Sequence, residues 1–594
     1  MYSPNSKTFK IDNLIGGLNV TKPPTEINDN QTPDAQNWIN NELIGINSRY
    51  GYTKYYTTAL GTANINRIFV YNQYTSSDFI FSYGTSLVID KVSATSLLYS
   101  GMTSGTVRSF EMGGNMYFLD GSGYIQYDGT NASAVSGYVP TYYINKEPDG
   151  TEGTKLDELN YIQSAFTETF NGDGTSTSFY LTYGSLTTQT PTVVADDVTC
   201  TLSAATAGFT VNYASGVISL TTAAVTGVGN VEITAYKEVY EASQITKCTF
   251  CETYGEGNDT FVFMSGNSSY PARIYWSDTS DPTYFPATSY ADVGVTNDKM
   301  MGFIPFDGGL QLWKYRSVHR FNGTPPDHSI TELYVNNEGC IATDTLRLIN
   351  GYPGCLSQRG IVQLITGQLN LISEDINGRE GIRNGLLTET AADKAAAFSY
   401  EFDNKYWLYI DDEFYILQYD LIHQEQGKIV YPWLKWTDIT AKCLMTKDNY
   451  LYFGGAGNIY KFDPSSITDD GSAIDSYFYS KKIQIEDTFD WIKWFLYIYF
   501  NFNIRYGNSA VTVSVYVDDE EIIASSALTV PAYWDPNDFN PNDFNPNGVE
   551  TNAELRVSLH RKGRFIQFKV RCNTLNNAFT LYSARMDYIK ERKG

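Results

Sequence analysis

"LYFGGAGNIYKFD", Leu451 to Asp463, has an echo far upstream in "MYFLDGSGYIQYD", Met116 to Asp128. Each phrase opens on an apolar residue followed by Tyr-Phe, breaks on glycine, resumes with aromatics and ends in Asp. Alternation on both sides of a short Gly or Asp turn is a hairpin signal. Five further phrases share it: "FIFSYGTSLVID" (Phe79–Asp90), "DTFVFMSGNSSYPARIYWSD" (Asp259–Asp278), "LQLWKYRSVHRFNG" (Leu310–Gly323), "CLSQRGIVQLITG" (Cys355–Gly367) and "YWLYIDDEFYILQYD" (Tyr406–Asp420). Those beginning at 310, 355, 406 and 451 start 45, 51 and 45 residues apart. A period of about 40–50 residues, with about four strands per unit, is that of a β-propeller blade. A lone blade leaves both faces apolar, and radial stacking buries them. The expectation is an all-β chain built on a propeller of about six to eight blades.

Composition agrees. Aromatic residues make up 15% of the chain and glycines number 48, a pairing that favours strands and turns over helices. At 594 residues the chain is too long for one ordinary core.

Two segments break the series. Residues 161–237, rich in Thr, Ala, Val and Gly, contain strictly alternating runs ("FNGDGTSTSFYLT", "GFTVNYASGVISLTTAAVTGVGNVEITAYK") and read as a small β-sandwich inserted in a propeller loop. After about residue 470, long alternating strands ("VTVSVYVDDEEIIASSALTV", "ELRVSLHRKGRFIQFKVRC") predict a C-terminal β-sandwich. Its apolar run "WIKWFLYIYFNF" (Trp491–Phe502) is too short to span a bilayer as a helix, and Lys493 interrupts it. Alternation sends Ile492, Trp494, Leu496, Ile498, Phe500 and Phe502 to the core, and Trp491, Lys493, Phe495, Tyr497, Tyr499 and Asn501 to the other face. The first residues form an irregular arm in which Thr32, Pro33 and Asp34 predict a short helix start. The expected organisation is an arm over 1–58, first blades over 59–155, an inserted sandwich over 156–240, the remaining blades over 241–470 and a C-terminal sandwich over 471–594.

Chemistry is sparse. The four histidines, His319, His328, His423 and His560, sit in no metal or nucleophile motif, and no Gly-x-Ser-x-Gly elbow or phosphate-binding loop occurs. Seven cysteines (Cys200, Cys248, Cys251, Cys340, Cys355, Cys443, Cys572) give no disulfide framework, and the single CxxC at Cys248–Cys251 lacks the second pair or histidine a zinc site needs. Carboxylates are dense at Asp411-Asp412-Glu413 and at Asp518-Asp519-Glu520-Glu521, but both runs fall at predicted turns, where acidic residues are solvated. The repeat "DPNDFNPNDFNPNG" (Asp535–Gly548) reads as an extended loop. It lacks the order of a calcium loop, and its Phe539 and Phe544 suit a contact with a neighbour. The expectation is a chain that is no enzyme, with no catalytic, cofactor or metal residues and no cofactor. Its N-terminus has no apolar core of signal-peptide length, which predicts synthesis in the cytoplasm without stable membrane insertion. The net charge of −24 has the wrong sign for gripping nucleic-acid phosphates, yet suits a surface past which DNA slides.

The order of parts carries a resemblance. "FKIDNLIGGLNVTKPPTEINDNQTPDAQNWI", with its Gly16-Gly17-Leu18-Asn19 arm, the Arg49-x-Gly51 strand behind it, and "ARIYWSDTSDPTYFP" (Ala272–Pro286) together resemble the tail nozzle proteins of short-tailed phages, also called tail tubular protein B. The inserted segment is similar to small sandwich modules of virion tail and fibre proteins. The resemblance implies a structural virion protein: a homo-oligomeric, hexameric ring in the tail, placed as nozzle or connector. Its partners would be other tail or connector proteins and tail fibres, and double-stranded DNA would pass through only in transit. A propeller-type adhesin that binds host-surface glycans, or a tail-tip protein, is the alternative expectation, and a glycan-degrading enzyme the third.

Overall fold

The computed structural model describes residues 6–40, 45–72, 77–91, 94–103, 107–238, 243–256, 259–334, 336–425, 427–485, 491–504, 511–528, 551–575 and 577–593. The Asp535–Gly548 repeat lies outside them. The protein is all-β, with 55% of residues in strands and 4% in helices. Among the described residues, six four-stranded antiparallel sheets follow one another along the chain as propeller blades, and a seventh blade lies within a six-stranded sheet. We number them by their strands. Blade 1 spans 65–100, blade 2 108–134, blade 3 250–292, blade 4 300–334, blade 5 347–371 and blade 6 398–436. Blade 7 takes three strands from 443–463 and its fourth, Gly51–Lys54, from the N-terminal arm. Every hairpin phrase found in the sequence is the second and third strand of one blade.

The chain divides into two compact units, residues 71–339 and residues 1–70 with 340–594. In the first, blades pack by aromatic wedges. Phe110, Tyr117 and Tyr124 of blade 2 share a core with Val262, Met264 and Tyr275 of blade 3. On the other side of blade 3, Phe263 and Trp276 meet Phe303, Leu312 and Phe321 of blade 4. In the second unit, Ile349, Leu356 and Ile361 of blade 5 pack with Tyr406, Leu408 and Trp433 of blade 6. Aromatics serve these wedges because each ring fills a large volume and edge-to-face contacts fix its orientation. Trp407 and Trp436 of blade 6 meet edge-on at 5.0 Å, and Phe462 of blade 7 lies 5.6 Å from Trp407.

The insert begins earlier than expected, at Thr141 rather than 156, because Thr141–Lys146 pairs in parallel with Ala165–Gly172. It is one nine-stranded sheet that curls on itself, so that Phe166, Phe170 and Val231 face Phe179, Phe209 and Ile218 across a single core. Lys146 is buried here against Glu168, Nζ to Oε2 2.9 Å, and also reaches Thr182 Oγ1 at 2.8 Å. The phrase Ala272–Pro286 secures the root of this insert. Phe285 N–H donates to Asn160 Oδ1 (3.0 Å), and Tyr161 N–H donates to the Phe285 carbonyl (2.9 Å).

The arm corrects one expectation. No helix starts at Thr32: residues Ala35–Gln36 and Trp38–Asn40 are strands, split by Asn37 at φ +59. Thr32 Oγ1 instead accepts the Asp34 N–H in a local turn and donates to the Tyr479 carbonyl. The arm lies along the C-terminal part of the chain. Lys7–Ile11 and Ile46–Ser48 pair with the strand Phe579–Lys593, and Ala35–Gln36 pairs with Ser476–Tyr479. The C-terminal sandwich, two sheets around Phe500, Val513, Phe568 and Met586, is completed by N-terminal strands. Within Trp491–Ile504 the expected faces hold at Ile498, Phe500 and Phe502 but invert before them. A bulge between Phe495 and Tyr497 turns Lys493 and Phe495 inward and leaves Trp494 and Leu496 half-exposed.

Candidate functional site

The residues that carried the family resemblance form joints. Gly16 and Gly17 bring the arm against backbone: a Cβ on Gly17, whose φ is +83, would meet Pro432 Cα at 2.7 Å. Leu18 N–H then donates to the Trp433 carbonyl and its side chain enters the core of blades 5 and 6. Asn19 is fully buried; its amide donates to Gln31 Oε1 and to Asp375 Oδ1 (2.9 Å). Arg49 forks onto Asp469, and its guanidinium lies 5.4 Å from the centre of Trp436. Gly51 must be glycine, because a Cβ there would stand 1.8 Å from the Thr468 carbonyl oxygen.

Of the acidic runs, the first becomes a cluster. Asp411 and Asp412 form the two-residue tip between the second and third strands of blade 6, both at positive φ (47° and 57°), a conformation Asp tolerates. The short helix Ala391–Ala396, capped by Thr390, brings Glu389 and Asp393 beside the tip. Carboxylate oxygens of Glu389, Asp393 and Asp411 lie within 4.8 Å of one another. Burial, then the charges of Asp411 and Glu413, push the Glu389 carboxyl up to about 7. Glu413 is held by Lys435 Nζ (3.1 Å) and the Tyr415 hydroxyl (3.0 Å), and Asp412 by the Tyr409 hydroxyl. Three converging carboxylates can hold a proton or a hard cation. The second run, Asp518 to Glu521, opens into a turn: Asp518 accepts from Arg564 N–H, Asp519 pairs with Lys482 and Glu521 accepts from Tyr516.

Blade 4 contains a set the sequence did not suggest. Ser317 Oγ donates to Asp298 Oδ2 (2.7 Å) and lies 3.1 Å from His319 Nε2, with all three residues buried. In a catalytic triad the acid orients the base from its far side. Here the acid grips the serine directly, so the set ties the loop before blade 4 to the blade's third strand. Burial and then Lys314 lower the basicity of His319, which favours the neutral ring. The other histidines are scattered: His328 stacks on Phe321, His423 faces the Leu421 carbonyl and His560 lies against Tyr497.

Burial raises the Cys248 thiol and pushes Cys251 up to about 12, so both are protonated and unreactive at neutral pH. All seven cysteines are free thiols. A shallow cleft of about 160 Å³ between blades 5 and 6 is lined by Tyr352, Tyr431, Asn350, Gln363 and the aliphatics Ile365 and Leu417.

No protein-family description and no curated protein matches the chain. Among solved structures it is similar to the CNH domain of AfRom2, at 9% identity and a TM-score of 0.32 over 68% of this chain and 98% of that one. It is similar also to the WD40 domain of SCAP from fission yeast, at 9% identity and 0.26 over 73% and 99%. A third is PorZ, a surface component of the type-IX secretion system of Porphyromonas gingivalis, at 13% and 0.24 over 82% and 74%. None of these likenesses carries a reading of function.

Proposed function

We propose that this protein is a structural component of a phage tail, a ring-forming subunit of the DNA-ejection conduit placed as nozzle or connector, and no enzyme. The observation that carries the reading is the use made of the nozzle-like residues. Gly16, Gly17, Leu18, Asn19, Arg49 and Gly51 join the arm to blades 5, 6 and 7, and those residues hold a scaffold together instead of lining a reaction site. Rigid wedges of aromatic blades suit a mechanical part. The net charge of −24 suits a lumen along which DNA moves in transit without sticking. The chain would then assemble in the host cytoplasm as a hexameric ring and reside in the virion, meeting connector proteins and tail fibres. Mass photometry and negative-stain microscopy of the purified protein test this: a ring of six with a central pore is expected, and a stable single copy at micromolar concentration would sink the reading.

One observation favours a second reading, a glycan-binding adhesin. The cleft between blades 5 and 6 sets two tyrosines beside two amide side chains, the chemistry that stacks on and hydrogen-bonds a sugar ring. Glycan-array binding lost in Tyr352→Ala would favour it.

A further inference from the structure

Basic residues are distributed unevenly. Residues 551–594 hold 10 Lys and Arg against 3 Asp and Glu, whereas the rest of the chain holds 32 against 63. The C-terminal strands therefore carry a local charge opposite to that of the whole. Several of these cations lie on the face of the sandwich turned away from its core. The Arg556 guanidinium lies 3.8 Å from the centre of the Tyr497 ring and 5.9 Å from Tyr499, and that of Arg585 lies 4.2 Å from Tyr499 on the neighbouring strand. Lys562 stands over Trp494. The bulge at Leu496 matters here, because it places Trp494 on this face beside Tyr497.

Trp, Tyr and Arg are the side chains that concentrate at the centres of protein interfaces. The stacking also decides what the face can bind. Guanidinium groups cover the tyrosine rings, so these rings are not platforms for a base or a sugar. A stacked guanidinium keeps its in-plane N–H donors free, and their fork matches a carboxylate. Arg585 has one carboxylate near it, the half-exposed Glu554 at 3.9 Å, a pair of little strength. Arg556 has no carboxylate partner among the described residues.

The chain itself supplies the complement. Glu389, Asp393 and Asp411 crowd three carboxylates at the blade 6 tip, and the neighbouring Lys435 is spent on Glu413. We propose that the outer sandwich face around Arg556 and Arg585 docks the acidic blade 6 tip of a second copy of this chain, head to tail. Different patches then meet on successive subunits, which is the geometry that generates rings when the rotation closes. The contact gives the ring proposed above its subunit joint, and to that extent rests on that reading.

Charge reversal in the full-length chain tests it. Arg556→Glu with Arg585→Glu, and separately Glu389→Lys with Asp393→Lys, each weaken self-association at least about tenfold by sedimentation velocity and mass photometry. Mixing the two double variants restores assembly, since each reversed patch meets its own reversed complement. Near-UV circular dichroism establishes that each variant is folded. If one is not, Arg556→Gln with Arg585→Gln replaces it, and wild-type assembly must also loosen as salt is raised. Folded variants that assemble like wild type, a mixture that fails to recover, or salt-insensitive assembly overturn this contact and leave the ring reading standing. A wild-type chain that stays single at every concentration overturns both. Retention of a double-stranded DNA fragment through Arg556 and Arg585 without self-association overturns the contact in favour of a polyanion site.

Discussion

Arg49 and Asp469 form a two-pronged ion pair, Nη1 to Oδ1 at 2.8 Å and Nη2 to Oδ2 at 2.6 Å, with both side chains almost fully removed from solvent. The pair joins the arm to the segment that follows blade 7. Around it, Arg49 Nε donates to Asn37 Oδ1, so the planar donor set is used on three sides.

Removing one partner of such a pair strands the other in a dry site. Arg49→Ala is expected to cost about 3–5 kcal/mol in denaturant unfolding of the second unit, and Arg49→Lys to recover only part of it because the fork is lost. An Arg49→Ala protein as stable as wild type would show that the arm is held elsewhere.

Gly51→Ala tests the closure of blade 7. The added methyl would sit 1.8 Å from the Thr468 carbonyl, a backbone atom that cannot swing away. Limited proteolysis should release the arm of this variant under conditions in which wild type stays intact. Equal resistance would mean that Gly51–Lys54 does not need its close approach to Thr468.

In the insert, Lys146→Met leaves Glu168 buried without its cation and is expected to cost about 3–5 kcal/mol. The double change with Glu168→Leu should regain most of that, since both charges are then gone. A double variant as unstable as the single would assign the loss to packing around Phe170.

The pH dependence of stability should carry the mark of Glu389. Its folded carboxyl titrates at about 7, above the ordinary 4.5, so between those values the unfolded chain holds fewer protons than the folded one. Stability from this group is therefore present below pH 4.5 and lost as pH rises through 7. Glu389→Gln should flatten the decline of Tm between pH 5 and 7.5 and raise Tm at pH 8. An unchanged slope would show that the proton is shared elsewhere in the cluster.

The inner hairpins were legible because each blade buries both faces of its middle strands and must spell them in apolar and aromatic residues. The outer strands were not: Ala132–Ala134 and Tyr290–Asp292 are short and exposed, and leave no alternation to read. The arm was misread at Thr32 because its strand partners, Tyr477 and Phe478, lie more than four hundred residues away and no local signal names them. Trp491–Phe502 was read correctly only past Leu496, since a bulge adds a residue that strict alternation cannot anticipate. Of the acidic cluster, Asp411 was visible by density. Glu389 and Asp393 come from a separate short helix and the residue just before its cap, and Ser317, His319 and Asp298 meet only when the loop before blade 4 folds back.

Closing blade 7 with Gly51–Lys54 has a consequence for the order of events during synthesis. That strand leaves the ribosome about 390 residues before the first strand of its own blade, which at ordinary elongation rates is about 20 to 80 s. Through that interval the arm has no native edge to pair with in blade 7, while blades 1 to 6 emerge and can form as local hairpins. Completion of the second unit is thus timed by its last-made strands, and a chain halted before Cys443 would carry an unsatisfied strand at its beginning and no place to put it.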